Sequence, residues 1–268
     1  MLNRHDYKML PDEIRTACRE GRHHGPTAHL APGFVQANLV IVPEAFAEDF
    51  AGFCAANAKA CPLLERLAPG SPFTKRLAAH ADVRCDLPGY RIFTRGERSD
   101  VDNIRDRFTA DATAFLLGCS FSFEEGLKEA GIGVRHVELG CNVPMYRTTR
   151  DVHGVGPFCG KHVVSMRPIP EALLERAYAA TRPYAAVHGE PVHHGDPNAL
   201  GIADLADPDY GDAVPLYPGE VPVFWACGVT SQEAVEGAVN RGELPWAITH
   251  QPGMMFVGDL CVETLKIL

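Results

Sequence analysis

Two stretches of this chain follow one plan. Phe115–Gly131 reads FLLGCSFSFEEGLKEAG, and Val223–Ala238 reads VFWACGVTSQEAVEGA. In each, four residues of strand-like sequence precede a cysteine, and a helical pattern follows it. Ser122 and Glu125 follow Cys119 at the spacing that Thr230 and Glu233 keep after Cys227. One constant interval, that from Cys119 to Cys227, relates every pair of positions. Ser or Thr with Glu three residues later is the signature of a capping box. The plan predicts two strand–turn–helix units, each with a thiol just ahead of a helix start. Such a start attracts anions and lowers a thiol pKa. Ligands of open α/β sheets also gather beyond the carboxyl ends of strands. Cys119 and Cys227 are therefore expected to face one pocket. Packing alone would give the same grammar in any two βα units, and a match this short does not establish a duplication.

The rest of the chain predicts a mixed architecture. Pro11–Glu20 reads as a short helix, with Asp12 and Glu13 in its first turn. VQANLVIV (Val35–Val42) reads as a buried strand. The segment after Pro43 reads as a helix with Phe46, Phe50 and Phe53 near helical spacing. Tyr90–Glu97 alternates as a strand, and the polar Asp102–Ala112 is expected to be helical. From Val134 to Tyr217, β-like pieces (VRHVEL, NVPMYRT, HVVSMRPI) surround one helix, EALLERAYAAT. VPVFWACG, a helix, WAITH and MMFVGDL follow. The class is α/β: a three-layer α/β domain over 1–138 and 214–268, with a smaller α+β domain inserted over 139–213.

With 46% hydrophobic residues in 268, the chain can bury a sizeable core. Its net charge of -9 and its lack of a basic cluster interleaved with aromatics argue against nucleic-acid binding. The first residues lack the apolar core of a leader, and no apolar run reaches the roughly 18–20 residues of a membrane span. A cytoplasmic, membrane-free protein is expected. Nine cysteines, none spaced C-x-x-C, read as reduced thiols. Phosphate-loop, dinucleotide and nucleophile-elbow motifs are missing from the sequence.

A set of motifs carries a family resemblance: GPTAHLAPGFVQANLVIVP, CPLLE, FLLGCSFSFE, NVPMYRT, VVSMRPIP, VHGEPVHHGDP, LGIADL, DYGDAVP, PVFWACGVT and ITHQPGMMF. In this order, from about Asp12 to Asp259, they resemble the hydro-lyase family that includes the mitochondrial D-glutamate cyclase. The resemblance implies a two-part α/β and α+β architecture. It also implies a carbon–oxygen lyase that removes water, most concretely one closing D-glutamate to 5-oxo-D-proline. One departure is Met254, where the family commonly has His. Met exchanges no proton, so a mechanism needing that His would fail here.

Ring closure joins the amine of glutamate to its own distal carboxyl group. It calls for a general base, an oxyanion site and a general acid. It also calls for a clamp that holds the chain bent. The catalytic candidates are Cys119, Cys227, Glu124 and His250, whose imidazole is suited to neutral pH. N–H groups near Ser120 and Gly228 could form the oxyanion site, and Arg147 and Arg167 could clamp carboxylates. Asn142 and Tyr146 flank that clamp. His188, His193 and Asp196, in HGEPVHHGD, match the family motif and could line the pocket. Their spacing in a Gly/Pro loop is not a zinc signature, so no metal is assigned and no cofactor is required, although a divalent ion would find ligands there. Each candidate has a structural alternative: a salt-bridged Arg, a first-turn Glu favoured by the helix dipole, a satisfied core His.

The expected partner is a small acidic molecule, and homo-oligomerisation is left open. Two other activities remain. One is a cofactor-independent racemase, with paired thiols on opposite faces of a Cα. The other is a non-catalytic binder of a small acid, the reading that Met254 favours.

Overall fold

A computed structural model describes residues 9–28 and 30–266. The leader expectation rests in part on residues 1–8, which lie outside the described residues. In chain order come α1 (Pro11–Arg19), β1 (Phe34–Pro43), α2 (Ala47–Ala56), β2 (Leu63–Arg66), β3 (Tyr90–Thr94), β4 (Glu97–Val101), β5 (Ala112–Gly118), α3 (Glu124–Glu129) and α4 (Arg135–Glu138). Then follow β6 (Met145–Asp151), β7 (Lys161–Pro170), α5 (Leu174–Thr181), β8 (His193–His194), β9 (Glu220–Ala226), α6 (Val229–Asn240), β10 (Trp246–His250) and β11 (Phe256–Cys261).

The fold is mixed α/β, with two antiparallel sheets. The larger runs β2-β5-β1-β10-β3-β4, with β11 also paired to β1; the smaller runs β6-β7-β9-β8. The smaller sheet takes in β9, which follows the 139–213 segment. Among the described residues, no helix is long and apolar enough to cross a membrane.

β1 and β5 read as apolar runs because both of their faces are covered. Alternate side chains of a strand point to opposite faces. Leu39, Ile41 and Leu116 enter a core shared with Leu127 of α3, Ala177 of α5 and Trp225 of β9. Val40, Val42, Phe115 and Leu117 pack instead on Phe50 and Phe53 of α2 and on Ala234 and Val235 of α6.

Two local expectations are corrected. Asp102–Ala112 is not a helix. Asn103 accepts the Arg105 N–H (3.3 Å) and the Thr109 hydroxyl bonds Asp111, local bonds that compete with a helix. VRHVEL is not a strand: Arg135–Glu138 forms one helical turn, held by the Glu138 N–H on the Val134 carbonyl (3.1 Å).

The echo around the two cysteines extends through both sheets. β1 pairs with β5 from Ala37↔Gly118 to Pro43↔Ala112, and β7 pairs with β9 from Val164↔Ala226 to Pro170↔Glu220. The first ladder maps onto the second, β1 onto β7 and β5 onto β9, with a constant offset on each strand. The β5 offset is the one that separates the cysteines; the β1 offset, from Ala37 to Val164, is longer. Both offsets persist beyond the ladders. Pro43-Glu44-Ala45 and Pro170-Glu171-Ala172 each lead through a 3-10 turn into a helix, α2 or α5. The Glu44 N–H donates to the Asp111 carbonyl (2.7 Å), and the Glu171 N–H to that of Gly219 (3.0 Å). At the other end, the Cys119 N–H donates to the Gln36 carbonyl (3.2 Å), and the Cys227 N–H to that of Val163 (3.1 Å).

The capping expectation is corrected here. α3 and α6 begin at Glu124 and Val229, after Phe123 and Gly228, whose side chains offer no capping oxygen. The Ser122 hydroxyl instead accepts the Gln36 N–H (2.9 Å), and the Thr230 hydroxyl accepts that of Val163 (3.0 Å). At these positions the partner strand has turned away, so the hydroxyl replaces the next ladder bond of a buried N–H. Glu125 and Glu233 pair with Lys128 and Arg147 rather than with a helix start.

Candidate active site

The two turns meet. Cys119 and Ser120 from one, and Cys227 and Gly228 from the other, line a single cavity with Asn38 of β1 and His188. Asn142, Gly253 and Met255 close it. At about 20 Å³, it has room for one water.

Each turn is contacted by the other unit. Asn38 of the first unit packs on Gly228 of the second, where any Cβ would collide with its amide. Its Nδ2 also donates to the Gly118 carbonyl (2.8 Å). Under the two offsets, Ser165 in β7 is the counterpart of Asn38 in β1, and Ser120 is the counterpart of Gly228. Arg167 joins this second pair, donating from Nη1 to Ser165 Oγ (3.0 Å) and from Nη2 to Ser120 Oγ (3.1 Å). Asn38 thus meets the second turn directly, and Arg167 ties Ser165 to the first.

Among the described residues, the titratable side chains lining the cavity are two thiols and one imidazole. Burial raises both thiols, Cys227 to about 11 and Cys119 further. The Phe121 N–H at the Cys119 sulfur and the Val229 N–H at the Cys227 sulfur act the other way, as does the charge on Arg167. These two N–H groups are counterparts as well, each two residues past its cysteine.

His188 adopts φ 85°, a left-handed conformation that costs a non-glycine residue energy and persists only where its surroundings enforce it. Its Nδ1 lies 2.9 Å from the Lys59 carbonyl, which requires a proton on Nδ1 and leaves Nε2 as an acceptor. Nε2 is buried, without a hydrogen-bond partner among the described residues. Burial lowers the ring's pKa to about 4, against the pull of the Lys59 and Gly118 backbone, so the imidazole is neutral at pH 7.

Behind the cavity lies a buried ion pair. Arg167 Nε donates to Glu124 Oε1 at 2.9 Å, with a second bond from Nη2 to the same oxygen. His136 Nε2 approaches that oxygen at 3.2 Å. The guanidinium lies 5.3 Å from the ring centres of both Phe123 and Trp225, a favourable cation–π arrangement. Arg167 thus touches the cavity lining at Ser120, and its charge is felt by both thiols.

The other candidates lie elsewhere. His250 is buried and accepts the Leu39 N–H at Nδ1 (3.1 Å). Burial lowers its pKa to about 4. Tyr146 donates its hydroxyl to the Leu205 carbonyl (2.8 Å). Arg147 pairs with Glu233 (2.6 Å) and Asp209 (3.3 Å), beside a groove lined by Asp204, Asp207 and Asp209. Those carboxylates repel an acid. His193 donates from Nε2 to the Asp196 carbonyl (2.8 Å), and the Asp196 carboxylate accepts the Asn198 N–H (3.0 Å). Among the described residues, no group of three or more His, Cys, Asp or Glu is placed to hold a metal ion. Met254 sits with its sulfur against Gly89, and Met255 lines the cavity instead. Asn38 escaped the sequence reading. Its signal was a lone amide in an apolar strand, which needs buried partners.

Residues 113–259 match the family described as D-glutamate cyclase. A protein of Bordetella petrii is 50% identical over 255 residues, covering 95% of each chain. One from Rubrobacter xylanophilus is 53% identical over 248 residues, covering 92% of this chain and 94% of its own. One from Bacillus licheniformis is 49% identical over 265 residues, covering 98% and 100%. All three bear the name "Putative hydro-lyase".

Proposed function

The chain belongs to the D-glutamate cyclase family, and from that premise we propose that it is a lyase acting on a small amino dicarboxylic acid in the cavity between Cys119 and Cys227. The concrete reaction is closure of D-glutamate to 5-oxo-D-proline and water. One observation carries this reading: two thiols, a neutral imidazole with a bare nitrogen, and the amides of Asn38 and Asn142 share one enclosed space. Among the described residues, no carboxylate lines it to repel an acid.

His188 Nε2 takes a proton from the substrate ammonium. The freed amine attacks the distal carboxyl carbon, forming the C–N bond. Asn142 and Ser120 donate to the oxygen on which charge develops. As the C–N bond forms, the nitrogen gives up a second proton. Cys227, the more acidic thiol, and the protonated His188 each give one proton to the departing oxygen, which leaves as water when the C–O bond breaks, and the nitrogen's second proton restores the Cys227 thiol. Arg167 holds Ser120 in place from behind. A cavity of one water's volume must open to admit an amino acid. Asn142 and Gly253 lie against each other in its lining, so for an amino acid to enter their loops part, and they close again to exclude water.

The test is proton NMR of the purified protein with D-glutamate, with L-glutamate and chelator-treated protein as controls. Signals of 5-oxoproline grow with D-glutamate, survive chelation and are lost in His188→Gln. Failure to close either enantiomer rejects the cyclisation.

A further inference from the structure

Cys119 and Cys227 occupy equivalent positions in two units of matching strand register and line one cavity, so a molecule held between them meets one thiol from each unit. Both turns fix their cysteine in the same way. The N–H bonds the neighbouring strand's carbonyl, and the sulfur faces the N–H two residues on. Packing does not require this. Across Phe115–Gly126 and Val223–Ala234, only Cys119/Cys227 and Glu125/Glu233 are identical. Ser120 faces Gly228 in that comparison, Phe121 faces Val229, and Gly118 faces Ala226. The neighbours differ while the thiols remain. A third titratable group at the cavity, His188, is 1% exposed, and its Nε2 has no hydrogen-bond partner among the described residues.

We propose that this cavity also removes and returns the Cα hydrogen of the amino acid it binds, with one cysteine as base and the other as acid, and so inverts the substrate. The proposal rests on the amino-acid reading of the cavity but not on ring closure, which leaves the Cα–H bond untouched. One thiol loses its proton to water before the cavity closes, and the thiolate left behind faces the N–H two residues on. The thiolate removes the Cα proton, and the C–H electrons pass into the α-carboxylate as an enediolate. The opposite thiol gives its proton to the other face of Cα. One S–H bond forms and one breaks, and the charge moves from one sulfur to the other. No oxidant or reductant enters.

The experiment incubates the purified protein in deuterium oxide with each enantiomer of glutamate and of aspartate. Proton NMR follows Cα–H and 5-oxoproline in the same tube, and chiral chromatography follows configuration. The expected result is loss of the Cα–H signal with inversion, for both enantiomers of at least one acid. Exchange slows about 100-fold or more in Cys119→Ser and in Cys227→Ser. It is unchanged in Cys159→Ser, which alters an exposed cysteine away from the cavity. Circular dichroism verifies that each variant is folded. Ring closure without deuterium at Cα overturns this proposal and leaves the lyase standing. Deuterium with inversion but no ring supports it and removes the cyclase step. Deuterium with full retention overturns the two-sided geometry, and the absence of both signals overturns both readings.

Discussion

Ser122 and Thr230 do the same work in two different sheets. Each hydroxyl accepts the N–H of one strand residue, Gln36 or Val163, and donates to that residue's carbonyl at 3.3 Å. Each thereby ties the turn that carries a cavity cysteine to the strand beside it. Ser122→Ala and Thr230→Val each leave a buried backbone N–H unpaired, at a cost of about 1–3 kcal/mol. Urea unfolding measures this. Losses in both variants no larger than those of ordinary surface substitutions, below about 0.5 kcal/mol, contradict the clasp.

Arg167 and Glu124 are expected to govern stability before substrate affinity. Removing either partner strands a buried charge, so Glu124→Gln or Arg167→Met destabilises by about 3–5 kcal/mol. The double variant recovers part of this. A clamp that touched substrate would behave differently: Arg167→Lys would raise KM and leave the unfolding midpoint unchanged.

Arg147 is half exposed and tied to carboxylates outside the cavity. Exposed pairs contribute about 0–1 kcal/mol. Arg147→Ala is expected to leave kcat/KM within about twofold and to cost no more than about 1 kcal/mol. Steady-state kinetics decide it, and a drop of about 100-fold would place the substrate in the groove beside Asp209 instead.

Acid weakens the fold through two histidines. Burial holds His188 and His250 at about 4 in the folded chain, against about 6.5 when unfolded. Between these values the unfolded chain binds more protons. Their share of stability is therefore complete above about pH 6.5 and lost as pH falls towards 4. Each contributes on the order of 3 kcal/mol across that window. Denaturation midpoints from pH 7 to pH 4 test this: the slope flattens in His250→Gln, and an already flat wild-type curve contradicts it.

The sequence announced half of the site. A constant spacing picked out Cys119 and Cys227, because strand, turn and helix follow one another there without insertions. It could not show the first strands of the two units, because β1 and β7 are related by a different, longer offset. The first unit carries additional chain between its strands, including the β3–β4 hairpin, and this shifts the spacing. The roles of Ser122 and Thr230 were misread because a hydroxyl three residues past a turn can cap a helix or clasp a strand. Only the third dimension selects between these. His188 was visible as a motif residue, yet its left-handed backbone and bare Nε2 depend on Lys59, 129 positions away. Arg147 and Arg167 looked alike in sequence. Burial separated them, since one faces water and acidic neighbours while the other is buried against two aromatic rings.

The most direct test of the central claim is a crystal structure of the His188→Gln variant soaked with D-glutamate. The account predicts ligand density bounded by Cys119, Cys227 and Asn142, with the loops bearing Asn142 and Gly253 moved apart. Ligand density in the groove beside Arg147, with the space between the two cysteines still closed, would contradict it.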